Sequence, residues 1–367
     1  MPLPGPRHTS LWEETALTIS RRTLIAAAGA IATAALTATG ALAQEVTLKM
    51  HQMLPQQASI PAKVLDVWAQ RVEEQSEGRI KVDHYPSMQL GGTPPDLVDQ
   101  VQDGVADVIW TVVGYTPGRY PASEVFELPF FTSDTEAATY AFWKMTEEGK
   151  IQEDFADMHL LGAFLHGPGL FHTMDPVETP ADLEGMKIRG GSRMVNQMLE
   201  AAGATPVGMP VPAVSEALSK GVIDGTTLPW EVTTAVKTSE LVTNHTGFEG
   251  PALYRLTFII AMNQGVYDGL PDDLKQVIDD NSGLVLSELA AQVMDSSDET
   301  GRQIAEDMGN EIVLIDEATA QSEWMPLVQP IYDSWVAEMD DRGYDGQGLI
   351  DRARALMDEY SAGGASN

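Results

Sequence analysis

The chain has 367 residues, 43% of them hydrophobic, which is more than a single hydrophobic core organises, so two lobes are expected. A formal net charge of −32 works against a nucleic-acid partner, whose phosphates are bound by clustered Lys and Arg, and describes a strongly solvated surface. The sequence has no cysteine, which excludes disulfide frameworks, thiolate nucleophiles and cysteine-held zinc or iron–sulfur centres.

Ser20 to Ala43 (SRRTLIAAAGAIATAALTATGALA) has a basic start, a small-residue apolar run and an A-x-A end before Gln44, the three parts of an export signal. The Arg21-Arg22 pair is a loose match to the twin-arginine route as an alternative to general secretion. Residues 1–43 are therefore set apart as a signal peptide. After Gln44 no apolar run approaches the roughly 20 residues of a membrane-spanning helix, so the mature protein is expected in the periplasm and not embedded in a membrane.

Val46 to Met50 alternates apolar and polar residues as a half-buried strand does. A helix starts near Ser59 and Pro61 and ends at Gly78, Arg79 to His84 forms a strand, and a second helix opens on prolines and closes at Gly104. Ala106 to Val113 is apolar enough for a strand buried on both faces. Strand, helix, strand, helix, strand points to a doubly wound, mostly parallel α/β sheet.

The pattern recurs at one constant offset. Pro95, Gly104, Val105 and Asp107 correspond to Pro212, Gly221, Val222 and Asp224, so the two lobes are expected to be alike, with the ligand site where their strand ends face each other. Further strands are expected at His159 to Leu165, Met186 to Arg189, Thr257 to Met262 and Glu311 to Ile315. A helical run is expected from Trp230 to about His245. Asp272 to about Met308 is too long for one straight globular helix and reads as a kinked strut across both lobes. Helices around Gln321 to Asp341 and Leu349 to Tyr360 precede a frayed tail.

Arg189, at a strand end before Gly190-Gly191, offers a planar fork that matches a carboxylate, with a backbone slack enough for a ligand to close in. Trp110, Tyr115, Phe171 and Trp230 sit at or just after strand ends, where they would line a cleft. Leu228, Val211, Met209 and Gln52 join them as candidate lining. His166 is expected to pack neutrally or hydrogen-bond to ligand, in preference to holding a metal. Glu231 leaves room for a zwitterionic ligand whose ammonium faces the acid. No zinc-hydrolase, nucleophile-elbow or nucleotide-loop motif occurs, and no cofactor or metal is expected.

Several stretches taken together resemble the DctP-type solute-binding proteins of TRAP (tripartite ATP-independent periplasmic) transporters. They are YPSMQLGG (Tyr85 to Gly92), Gly104-x-x-Asp107, ELPF (Glu127 to Phe130), LEGMKIR (Leu183 to Arg189), GATPVGMP (Gly203 to Pro210), ALSKGVIDG (Ala217 to Gly225) with Pro229, and LPDDLKQVI (Leu270 to Ile278). The resemblance implies a two-lobed periplasmic-binding-protein fold, residues 44–165 and 252–293 forming one lobe and 166–251 and 294–352 the other, before a tail at 353–367. It further implies an organic anion closed between the lobes and handed to a membrane permease, with Arg189 on the family's carboxylate-binding arginine. Leu228 stands where relatives often carry asparagine, Val211 where an aromatic contact occurs, and Gly169 where some members carry a second arginine. These departures favour a monocarboxylate with an apolar or aromatic body. The alternatives are a ligand sensor docking on a receptor, and an exported hydrolase using cleft acids such as Asp107 with Glu231.

Overall fold

The computed structural model describes Met1 and residues 44–364; residues 2–43, where the export signal is expected, and 365–367 lie outside them. Among the described residues eleven strands make two sheets. The first has the order β2-β1-β3-β10-β4 and the second β11-β9-β5-β8-β6-β7. In the first, β1 is Val46–His51, β2 Ile80–Tyr85, β3 Val108–Val112, β4 Met158–Leu165 and β10 Thr257–Asn263. In the second, β5 is Leu170–Thr173, β6 Lys187–Gly190, β7 Thr205–Gly208, β8 Gly225–Leu228, β9 Asn244–Phe248 and β11 Glu311–Ile315. Helices cover both sheets, giving a two-lobed mixed α/β fold.

The strand pairs formed by βαβ windings are parallel, whereas every antiparallel pair involves β5 or β10. Those two strands are reached by short crossings from one sheet to the other, from β4 through residues 166–169 into β5 and from β9 through 249–256 into β10; a third crossing, from β10 through the helices at 264–307, enters β11, which pairs in parallel with β9. The two short crossings run side by side and hold each other: Gly169 N donates to Tyr254 O at 3.0 Å and Arg255 Nη1 donates to His166 O at 2.8 Å.

The repeat seen in the sequence is reproduced element by element. A short 3-10 turn, Pro94–Asp96, leads into helix α1, Leu97–Gln102, and its counterpart Val211–Ala213 leads into helix α2, Val214–Ser219. Gly104 (φ +73°) and Gly221 (φ +65°) end them in the left-handed region, where glycine carries no Cβ penalty. Asp107 and Asp224 then do the same work: Asp107 Oδ2 accepts from Lys49 N at 2.8 Å, and Asp224 Oδ2 accepts from Lys187 N at 2.8 Å. Each acid clips its strand entry to the neighbouring strand.

The helical run from Trp230 stops earlier than expected. Helix α3 is Trp230–Val236, a four-residue turn follows at Thr238–Leu241, and His245 lies in β9; Lys237 at φ +54° breaks the helix. The long C-terminal strut has its kink: α4, Asp272–Asp280, is separated from α5, Leu284–Asp307, by a turn through Gly283 at φ +77°. Helix α5 is tied to β4 at its start, where Gly283 N donates to Leu161 O at 2.7 Å. Near its end Gly301 lies so close to the Trp230 carbonyl that a Cβ there would overlap it. It therefore braces both sheets. Helices Met325–Asp341 and Gly346–Glu359 close the chain, and among the described residues no helix is long and apolar enough to cross a membrane.

Candidate functional site

A narrow cavity lies between the sheets, beside the crossings. β3 and β10 build one wall, because alternation puts Trp110 and Val112 on one face and register sets Phe258 opposite Val112. Trp110 stacks on Phe258 at 5.6 Å between ring centroids, and Phe258 on Phe164 at 5.4 Å. The other wall is Arg189, Val211, Leu228, Pro229 and Val232, with Met53, Leu54, Tyr254, Leu256 and Met294 closing the ends.

Arg189 is fully buried. Its Nε donates to Met209 O at 2.8 Å and its Nη1 to Thr227 O at 2.9 Å, while buried Nη2 has no partner among the described residues. In the matching position of the first sheet stands His51, since Met50 is in register with Val108 and Ile188 with Gly225. His51 spends both ring nitrogens within its own lobe, on Gln100 Oε1 at 2.7 Å and Leu90 N at 3.3 Å. One member of the repeat is thus satisfied and the other keeps a free, charged donor.

Two phenols flank this donor. Tyr115 Oη accepts from Val211 N at 2.9 Å, leaving its own proton to give away; burial raises its pKa while Arg189 beside it pulls the other way. Tyr254 Oη is buried without a partner among the described residues, and burial pushes its pKa up to about 12 against the pull of Arg189. Both remain neutral donors at physiological pH. A guanidinium nitrogen and two phenols, all needing an acceptor, fit a carboxylate, and leaving such donors empty costs about 1–3 kcal/mol each.

Of the eleven residues proposed from sequence, seven line this cavity: Trp110, Tyr115, His166, Arg189, Val211, Leu228 and Glu231. Four do not. Trp230 turns behind the wall, its ring 5.1 Å from His172 and 4.8 Å from His245, because the chain enters α3 there. Phe171 sits on the opposite face of β5, packed on Trp324 at 5.7 Å. Met209 contributes its carbonyl to Arg189, and its side chain borders a neighbouring depression with Gly190, Ser192 and Asn196. Gln52 is consumed by the turn that presents Met53 and Leu54, donating to Leu54 O at 2.8 Å and accepting from Leu54 N at 2.5 Å.

His166 offers ligand no hydrogen bond. Its Nε2 accepts from Leu256 N at 2.9 Å and its Nδ1 donates to Gly167 O at 2.5 Å, and burial lowers its pKa to about 3, so it is a neutral, saturated wall. Gly190-Gly191 also has a different reason from the one expected. A Cβ on Gly191 would come within 2.7 Å of Leu256 Cδ1 and 3.1 Å of Arg189 Nη2, and one on Gly190 would overlap Asn196 Oδ1. Gly191 makes room for Leu256 and the guanidinium, and Gly190 for Asn196. Asp107, held by Lys49, is not among the cavity residues, so it is not brought together there with Glu231. The residues sequence reasoning missed, above all Tyr254, Leu256 and Phe258, come from the second crossing and β10.

The structure is similar to a TRAP solute-binding protein from Rhodoferax ferrireducens in complex with copurified benzoate, with 45% identity over 87% of this chain and 99% of the other and a TM-score of 0.84. It is similar at 43% identity, over 87% and 99% of the chains and with a TM-score of 0.84, to a marine metagenome TRAP solute-binding protein specific for aromatic acid ligands, in complex with 3-hydroxybenzoate. A TRAP periplasmic solute-binding protein from Bordetella bronchiseptica with bound (R)- and (S)-mandelate matches at 28% identity over 86% and 99% of the chains, with a TM-score of 0.77. The DctP family, that of bacterial extracellular solute-binding proteins of family 7, matches residues 51–339, and the chain belongs to that family.

Proposed function

We propose that this protein captures an aromatic or apolar monocarboxylate in the cavity between its lobes and delivers it to a TRAP permease after export through its signal peptide. The observation that carries this reading is the buried, partnerless Nη2 of Arg189 in a largely apolar cavity. A carboxylate there gains charge-assisted hydrogen bonds of about 1.5–3 kcal/mol each, and an aromatic body replaces empty space against Trp110 and Phe258. The aromatic-acid ligands of the relatives from Rhodoferax, the marine metagenome and Bordetella support the same class. A second carboxylate would find no second arginine: the space beyond Gly169 is filled by the Tyr254 ring.

The lobes proposed are 44–165 with 252–293 and 166–251 with 294–352, hinged at the two crossings. Closing them takes about 5.5 kcal/mol of differential binding to turn a 1:99 equilibrium into 99:1, a demand that two charge-assisted hydrogen bonds go far to meet. The test is calorimetric titration of benzoate, mandelate and succinate into the wild type and Arg189→Met. The aromatic monocarboxylates should bind, succinate should not, and the variant should lose about 100-fold or more in affinity while its free form keeps the wild-type circular dichroism and a cooperative melt. Unchanged affinity in the variant refutes the assignment. Uptake of the acid by vesicles bearing the permease, only when the protein is added, tests delivery.

A further inference from the structure

The cavity has a second polar element that the carboxylate does not use. Glu231, in the first turn of α3, is buried and lines the cavity. One carboxyl oxygen, Oε1, accepts from Ser59 Oγ; the other has no hydrogen-bond partner among the described residues. Its backbone N donates to Asp298 Oδ1 of α5 at 2.6 Å. Glu231 is thus fixed by Ser59 from one lobe and by the strut helix, whereas Arg189 is fixed by Met209 and Thr227. The two share no partner, and the same cavity is lined by Trp110, Phe258, Leu228 and other apolar side chains. One cavity therefore holds an anion-binding group and a separately anchored carboxyl among apolar walls.

Building on the monocarboxylate reading, we infer that Glu231 is a specificity-determining residue that recognises a hydroxyl on the ligand at the end remote from its carboxylate. The partner is a hydroxyl in preference to an ammonium for a chemical reason. A hydroxyl can donate to an ionised carboxylate or accept from a protonated one, so it suits Glu231 in either state, whereas an ammonium requires the ionised form. Burial disfavours that form and pushes the carboxyl up to about 7, with Ser59 and then Lys63 pulling down. Trp110, which also lines the cavity, has a buried indole Nε1 without a partner among the described residues, a further donor that a hydroxyl oxygen can answer.

The experiment is calorimetric titration of benzoate, 3-hydroxybenzoate, 4-hydroxybenzoate and 4-(aminomethyl)benzoate into wild type and Glu231→Leu. At least one hydroxybenzoate should bind wild type about 10-fold tighter than benzoate, and the ratio of the two affinities should shrink to within about twofold in the variant. Equal binding of benzoate and both hydroxybenzoates by wild type overturns the inference, as does an advantage that survives in the variant or a preference for the aminomethyl acid. Should Glu231→Leu fail to fold, Glu231→Gln takes its place, with at least a threefold fall in the hydroxyl preference expected and an unaltered preference refuting (roughly 0.7 kcal/mol at RT of 0.59). Failure of benzoate to bind at all would instead strike the monocarboxylate reading, since that depends on Arg189 and not on Glu231.

Discussion

Tyr254 gives the site a hydroxyl that the free protein cannot use. A buried, partnerless phenol lowers stability by the desolvation it has suffered, and recovers the loss only when ligand arrives. Replacing it by phenylalanine should therefore move two measurements in opposite directions. The free Tyr254→Phe protein should be as stable as wild type or up to about 1 kcal/mol more stable in urea melts, while carboxylate affinity should fall roughly 5- to 10-fold. A loss of stability together with unchanged affinity would mean that the hydroxyl serves the fold and not the ligand. The same residue shows why the site was only half legible in the sequence. Arg189 announces itself as a charge at a strand end, and alternation in β3 brings Trp110 inward. Tyr254 lies in the irregular crossing 249–256, where no period applies, and only the pairing of the two crossings carries it over Gly169. Trp230 misled for the complementary reason: proximity to a strand end does not say which way the next helix turns a side chain.

The repeated strand–helix unit was the most legible element, because its glycine stops and aspartate clips answer local backbone geometry. A Cβ added to Gly104 or Gly221 would meet nothing within 4 Å, so only their positive φ values, +73° and +65°, oppose a side chain. Alanine at either should cost about 1–2 kcal/mol by backbone strain alone, and the two costs should add to within about 0.5 kcal/mol, since the glycines belong to different sheets and share no partner. Asparagine, which tolerates the left-handed region better, should cost less than alanine at both. Denaturant melts of the single and double variants measure this; a large coupling would show that the two units fold as one. What periodicity could not reveal was the direction of β5 and β10. The residues of β10 read as an ordinary buried strand and those of β5 carry no strand pattern of their own, and the antiparallel pairing of both accompanies short direct crossings between the sheets, a long-range event without a local signature.

At the scale of the whole molecule, buried acids and buried histidines pull stability in opposite directions with pH. Burial pushes Glu127, Asp154 and Glu231 up to about 7, and lowers His166 to about 3 and His245 to about 4. A carboxyl with a raised folded pKa contributes stability that is complete below its unfolded pKa and is lost as pH rises through the folded value. A histidine with a lowered folded pKa does the reverse, losing its contribution as pH falls below its unfolded value near 6.5. From about pH 4.5 to 6.5 the two sets oppose each other, and below that window the histidines act together with carboxylates lowered by ion pairs and hydrogen bonds, such as Glu148, Asp182 and Asp316, so stability falls steeply toward pH 3. Above it the ionised acids are held in a molecule already carrying a formal −32. Glu127 isolates their share: its Oε1 accepts from Thr257 N at 3.0 Å and Thr257 Oγ1 at 2.7 Å, bonds that a glutamine keeps, while Oε2 is buried without a partner among the described residues. Glu127→Gln removes the ionisation without removing the acceptor. Its stability relative to wild type should therefore be roughly 2–3 kcal/mol more favourable at pH 8 than at pH 5, read from urea melts at the two pH values. A difference that does not change with pH would show that Glu127 keeps an ordinary carboxyl in the folded protein and that its burial is relieved by solvent.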